Sequence, residues 1–148
     1  MSIQSQQNNM HRLAELLSQD LGYIYGERES GPNGAKKMFL NLGKVFFRAL
    51  AKDLGLRDVK VMSNAGGIAV SGECYLYGMW KTMGLFMCLG QSACDDVVIY
   101  YRSIRSLNDH KGGYNHHIRL RELNTMAYED LLSRLNEMRK NEDIAWAA

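Results

Sequence analysis

The apolar residues of this chain change their spacing at Gly55, and that change limits the fold more than any other feature. Before Gly55 they recur at three- and four-residue steps, as on one face of an α-helix. From Val59 onward apolar and polar residues alternate, as in a half-buried β-strand. Helices therefore come first and strands follow, and no strand-helix-strand alternation calls for a parallel sheet.

Two helices are predicted before Gly55. The first covers about Asn8 to Asp20, and we expect residues 1–7 to fray. The second covers Ala35 to Leu54, where a continuous apolar stripe ends at the helix-stopping Gly55. The side of the second helix opposite this stripe is basic and carries Lys37, Lys44, Arg48 and Lys52.

Four or five strands are predicted between Gly55 and Arg121. The first strand holds Val59 and Val61, and the second, Ile68 to Tyr77, follows a glycine-rich turn. The third and fourth are Leu85 to Gln91 and Val97 to Arg102, and His116 to Arg121 is the candidate for a fifth strand at the edge. Short connections between consecutive strands favour an antiparallel meander. A final helix capped by Asn124 or Thr125 follows, and we expect residues 141–148 to fray.

These patterns predict one α+β domain spanning residues 1–148. We expect an antiparallel meander of four to five strands, with two N-terminal helices and one C-terminal helix packed on one face. A chain of 148 residues is long enough for one core. Hydrophobic residues at 46% and charged residues at 23% are typical of globular proteins, which excludes wholesale disorder and a fibrous repeat.

The cysteines and the apolar runs predict a cytoplasmic protein. Cys74, Cys88 and Cys94 lack metal-type spacing and lie in or beside apolar runs, where reduced buried thiols are common. The start of the chain lacks a signal-peptide pattern. The longest apolar run, residues 83–89, is far shorter than the roughly 20 residues of a membrane helix.

A basic and aromatic surface is predicted around the stretch 97–121. The whole chain carries a net charge of only +2, but this stretch is locally basic. If the helices cover the sheet face of Cys74 and Leu76, tyrosines and arginines occupy the other face, where they suit contact with bases or a protein. The candidate binding residues are Tyr75, Tyr77, Tyr100, Arg102, Arg105, Lys111, Tyr114, His117, Arg119 and Arg121.

The same stretch also has plainer explanations. Its arginines could pair with the acidic final helix, and Gly112-Gly113 could serve only a tight turn, or else an anion-binding nest. His116 and His117 point to opposite faces of a strand, so they cannot share one metal site. We predict no metal, no cofactor and no catalytic residue. The segment 31–37, GPNGAKK, lacks the spacing and hydroxyl residue of a nucleotide-binding phosphate loop.

We therefore expect a small non-enzymatic protein that binds a nucleic acid or a nucleoprotein complex, with no membrane association. A single small domain with such a loop is also typical of accessory proteins of phages and plasmids, including anti-CRISPR-like inhibitors of host defence complexes. One alternative is a homo-oligomer, such as a homodimer, whose sheet face is the subunit interface, with Met62, Tyr75, Tyr77, Phe86 and Met87 as candidates. Another is a small enzyme that uses a loop histidine.

Overall fold

The computed structural model describes residues 2–19, 21, 34–66, 71–91, 95–110 and 113–147, with the last six of these, 142–147, described by their backbone alone. Its elements are α1 (Ile3–Leu17), α2 (Ala35–Asp53), β1 (Arg57–Asn64), β2 (Glu73–Met79), β3 (Gly84–Gly90), β4 (Val97–Ile104), β5 (His116–Arg119), α3 (Leu120–Thr125) and α4 (Tyr128–Ala147).

The sheet is an antiparallel meander in the order β1-β2-β3-β4-β5, with the helices packed against it. This confirms the predicted α+β fold class. Strands pair with their sequence neighbours because the connections between them are too short for a crossover. The predicted start of the second strand, with Ile68 and Val70, lies outside the described residues.

Helix α1 begins earlier than its apolar pattern predicts. The Ser2 hydroxyl accepts a hydrogen bond from the Ser5 backbone N–H, so it caps a helix that starts at Ile3 rather than at Asn8. The side chain of Gln6 is fully buried and donates to the carbonyl of Phe46 on α2. Residues 3–7, expected to fray, are therefore helical. Helix α2 ends one residue before the predicted Leu54.

The C-terminal part contains two helices where one was predicted. Strand β5 ends at Arg119, because the Leu120 N–H turns to the carbonyl of Asp96 and Glu122 accepts a hydrogen bond from the Arg119 N–H. Helix α3 follows at once. Residues 126–127 are not helical and separate α3 from α4, so Asn124 and Thr125 lie in α3 and do not cap the final helix. The backbone of α4 continues to Ala147, through the tail expected to fray.

The core lies between the helices and one face of the sheet. That face carries Cys74 and Leu76, as predicted, and the largest fully buried side chains include Met10 of α1, Phe46 of α2 and Tyr128 of α4. Tyr128 donates to the carboxylate of Asp53 over 2.6 Å and packs edge-on against Phe46 at 6.0 Å. Among the helices that the structure describes, none has the length and apolarity needed to cross a membrane.

Candidate binding site on the open sheet face

The face of the sheet that the helices do not cover is called the open face here, and it is built from cross-strand rows. One row crosses all five strands in register and consists of Met62, Tyr75, Cys88, Tyr100 and His117. Because side chains alternate along each strand, every member of this row points away from the core of Leu76 and its neighbours. The prediction that the tyrosines lie opposite the helices therefore agrees with the register.

The first row is the accessible part of the open face. Tyr100 is 37% exposed, His117 beside it is exposed, and Met62 on the edge strand is 46% exposed. Tyr75 is half-buried and Cys88 is buried between the rings. Two exposed rings thus lie on neighbouring strands of a rigid sheet, which lowers the entropy that they lose when a partner binds.

The second row of the open face is covered by its own chain. In this row Tyr77 lies opposite Phe86, and their ring centroids are 4.8 Å apart. The loop after β4 folds back over them, and the His110 ring centroid lies 5.4 Å from that of Phe86 and 5.8 Å from that of Tyr77. Ile104 and Leu107 complete a small apolar cluster. Tyr77 and Phe86 are therefore less accessible to a partner than Tyr100 and His117 of the first row.

Arg102 holds this loop to the sheet. Its guanidinium donates a hydrogen bond of 2.8 Å to the carbonyl oxygen of Gly113. Gly113 lies so close to the Ser103 carbonyl that any Cβ at this position would collide with it. Close backbone approach therefore requires glycine at position 113. Gly112 and the candidate Lys111 lie outside the described residues.

A groove of about 420 Å³ adjoins the first row and is called the open-face groove. Tyr100, His117 and Cys88 form its floor, and Glu73, Asp95 and Arg119 supply its charged groups. Gln91 at its end donates to the carbonyl of Leu17 over 2.9 Å, which ties the groove to α1. The groove therefore combines aromatic surface with both signs of charge.

Hydrogen bonds within the open face orient its polar groups. Tyr75 donates to the Glu73 carboxylate, and this bond raises the pKa of Tyr75. Burial raises the pKa of the Cys88 thiol to about 12, and burial also raises the pKa of the Tyr100 hydroxyl to about 12. At neutral pH these groups are protonated, so Cys88 is not a thiolate nucleophile.

Arg119 is already paired on this face. Its guanidinium lies 2.5 Å from the Asp96 carboxylate, and this hydrogen bond lowers the pKa of Asp96. The neighbouring Asp95 accepts a hydrogen bond from the Val97 N–H over 3.0 Å, a contact typical of a turn. Arg119 is thus held in one orientation at the rim of the open-face groove.

The structure brings together some of the predicted binding residues and leaves others apart. Tyr75, Tyr100, His117 and Arg119 lie together, whereas Tyr77 and Arg102 serve the loop contacts. Tyr114 is 73% exposed in the segment before β5, while Arg105 and Arg121 are exposed on the loop and on α3. The basic side of α2 belongs to the helical layer, since α2 packs on the opposite face at Cys74.

Two of the residues proposed for an oligomer interface do not fit that role. Met87 is fully buried on the helix side of β3, because it lies opposite Leu76 and Tyr101. Phe86 is 7% exposed beneath the loop. Neither side chain is available at the surface for a second copy of the chain. Because β3 is apolar on both faces, its sequence does not show that the helices cover Met87 and the loop covers Phe86.

The sequence prediction missed Glu73 and Cys88. Both could have been found from strand alternation, since Glu73 stands two residues before Tyr75 and Cys88 two residues after Phe86 on the same face. Strand alternation does not indicate that Asp96 pairs with Arg119. This pairing depends on the register of β4 with β5, which a sequence pattern does not fix.

The histidines are spread over different environments. His110 packs on rings, His116 stacks on Tyr101 at 5.0 Å on the helix side, and His117 is exposed on the open face. His116 and His117 therefore do point to opposite faces. Within the described residues no group of three or more histidine, cysteine or acidic side chains could hold a metal ion.

Comparison with known proteins gives no family for this chain. No family model, no curated protein and no solved structure matches it.

Proposed function

We propose that this chain is a non-enzymatic binding protein that engages a protein surface within a nucleoprotein complex through the first row of the open face. The observation that supports the proposal is the pair Tyr100 and His117, which lie opposite each other on β4 and β5 with both rings exposed. Tyrosine is among the residues that dominate binding energy at protein interfaces. A folded sheet presents both rings without further ordering.

The charges of this face favour a protein over bare nucleic acid. Glu73 and Asp95 line the open-face groove, and Asp96 adjoins it. Their carboxylates would repel a phosphate backbone, whose binding depends on free cationic groups. Arg119 is paired with Asp96, and Arg102 is bonded to the loop. A protein surface with mixed charges complements such a face better.

The proposed partner class follows from the size and composition of the chain. A single small domain with an aromatic contact row resembles, by analogy alone, the accessory proteins by which phages and plasmids inhibit host defence complexes. In this proposal the protein acts in the cytoplasm, blocks a surface of such a complex and carries out no reaction.

Affinity capture from lysate of the native host tests this function. The bait proteins are wild type, a Tyr100→Ala/His117→Ala variant, His117→Glu alone, and an Arg48→Ala/Lys52→Ala control on the exposed side of α2. Wild type and control should retain the same protein after nuclease treatment, and the open-face variants should retain at least about tenfold less. Melting temperatures measured alongside show whether each bait is folded.

Two results would overturn the proposal. Undiminished capture by folded open-face variants would show that the first row is not the contact. Loss of every captured protein on nuclease treatment would show that nucleic acid, rather than a protein surface, is the partner.

A homodimer is a second candidate because of edge strand β1. Within the described part of the chain this strand pairs only with β2, and seven of its eight residues are exposed, including Val59 and Met62. A free edge offers backbone hydrogen bonds to a second copy of the chain. Light scattering over a dilution series, with Met62→Lys for comparison, tests it. A monomer at micromolar concentration would exclude this candidate.

A further inference from the structure

A second groove, of about 360 Å³, lies at the other end of β2 and is called the Trp80 groove. Among the described side chains, its lining includes three cationic ones, Arg57, Lys81 and Arg139, and no acidic one. They come from three separate places in the chain, namely the start of β1, the turn after β2, and α4. The fold thus gathers positive charge at one point of a chain whose net charge is only +2.

Trp80 positions two of these cations. The guanidinium carbon of Arg139 lies 5.3 Å from the centroid of the Trp80 ring, and Arg57 donates to the Trp80 carbonyl over 3.4 Å. The indole itself is fixed, because its N–H donates to the carbonyl of Leu54 over 2.9 Å and the ring is 4% exposed. Lys81 follows Trp80 directly and is exposed.

Among the residues whose side chains the structure describes, these three cations form no ion pair with a carboxylate. The ion pairs there join Arg12 to Glu15, Arg119 to Asp96 and Arg134 to Glu122. Asp53, at the nearby end of α2, accepts a hydrogen bond from Tyr128 and does not line the groove. Like charges gathered against apolar walls raise the local potential and attract an anion.

We infer that the Trp80 groove binds a phosphate group. A phosphate offers several acceptor oxygens, which match the planar donor fork of arginine, while Lys81 adds a point charge. The phosphate can belong to free phosphate or to a nucleic-acid backbone, since both present the same oxygens. This site is separate from the open face, because Glu73 and Trp80 lie at opposite ends of β2.

Tryptophan fluorescence provides a direct test. The chain has two tryptophans, so Trp146→Phe leaves Trp80 as the reporter inside the groove. Inorganic phosphate and an oligothymidylate are titrated separately at low salt. We expect a saturable change in Trp80 emission, and tighter binding of the oligothymidylate than of inorganic phosphate would identify a nucleic-acid backbone as the source.

Single substitutions test whether the change in Trp80 fluorescence comes from binding in the Trp80 groove. Lys81→Gln and Arg139→Gln should each weaken phosphate binding by about tenfold, whereas Arg12→Gln, on the exposed side of α1, should leave it unchanged. The cation that lies over the indole ring is Arg139, so Lys81→Gln keeps the contact between Arg139 and the reporter. The inference is overturned if neither probe gives a saturable change, or if Lys81→Gln binds phosphate as tightly as the parent.

Discussion

Arg102 donates a hydrogen bond to the Gly113 carbonyl eleven residues later in the chain, over 2.8 Å. This contact joins strand β4 to the far end of the loop that covers Tyr77 and Phe86. Sequence composition had placed Arg102 among the residues that contact a partner. In the structure its guanidinium organises the loop, which in turn decides how much of the open face is accessible.

Replacing Arg102 should therefore loosen the loop. Arg102→Ala removes a hydrogen bond from a charged donor and should lower the free energy of unfolding by about 1–2 kcal/mol. Hydrogen exchange of the backbone amides in residues 105–110 should become faster. Arg48→Ala, on the exposed side of α2, should change stability by less than about 0.5 kcal/mol. Equal stability and equal exchange in the two variants would show that the bond does not hold the loop.

Gly43 and Cys74 should be energetically coupled. A Cβ added at Gly43 would lie 2.5 Å from the Cys74 sulfur, so Gly43→Ala should destabilise the fold by about 1–3 kcal/mol. Cys74→Ala removes that sulfur, and the cost of Gly43→Ala should then fall by at least about 1 kcal/mol. Denaturant unfolding of wild type, the two single variants and the double variant measures the coupling. If the two losses of unfolding free energy simply add in the double variant, this packing is contradicted.

Tyr128 should make stability depend on alkaline pH. Burial and the hydrogen bond to Asp53 raise the pKa of Tyr128 in the folded protein. Its stabilising effect is therefore complete below the unfolded pKa of about 10 and is lost as the pH rises above that value. Tyr128→Phe should cost about 1 kcal/mol near neutral pH and show a shallower loss of stability above about pH 10. Parallel pH profiles for wild type and Tyr128→Phe would contradict this.

The described cysteines should resist alkylation. Burial raises the pKa of both Cys74 and Cys88 to about 12. At pH 8 about one thiol in ten thousand is then ionised, and only the thiolate reacts. Peptide mapping after iodoacetamide treatment should find both residues unmodified in the native protein and modified after denaturation. Rapid native modification of Cys88 would mean that the open face exposes it.

Much of the fold was predictable from apolar spacing alone. Helix α2 and the meander follow from the spacing of apolar residues along the sequence, which matches the spacing of core-facing side chains in a helix or a strand. The start of α1 was missed because Gln6 is polar, yet it is buried by a hydrogen bond to Phe46 on another helix. The break between α3 and α4 depends on Gln7, which donates to the Met126 carbonyl and accepts from the Tyr128 N–H.

The binding site was predictable only in outline. Alternation places Tyr75 and Tyr100 on one face, and the register confirms that placement. Which rings of this face stay accessible depends on residues 105–110, where His110 packs on Tyr77 and Phe86, and on the hydrogen bond from Arg102 to Gly113. Such tertiary contacts leave no periodic trace in a sequence. The Trp80 groove was missed for the same reason, since Arg57 and Arg139 are 82 positions apart in the numbering.

Photo-crosslinking in the native host tests most directly whether the open face is the binding surface. A photoreactive phenylalanine analogue is placed at position 100 in one protein and at position 48, on the exposed side of α2, in another. We predict a discrete crosslinked protein from position 100, resistant to nuclease, and none from position 48. Crosslinking from position 48 with none from position 100 would contradict the proposal that the open face is the binding surface.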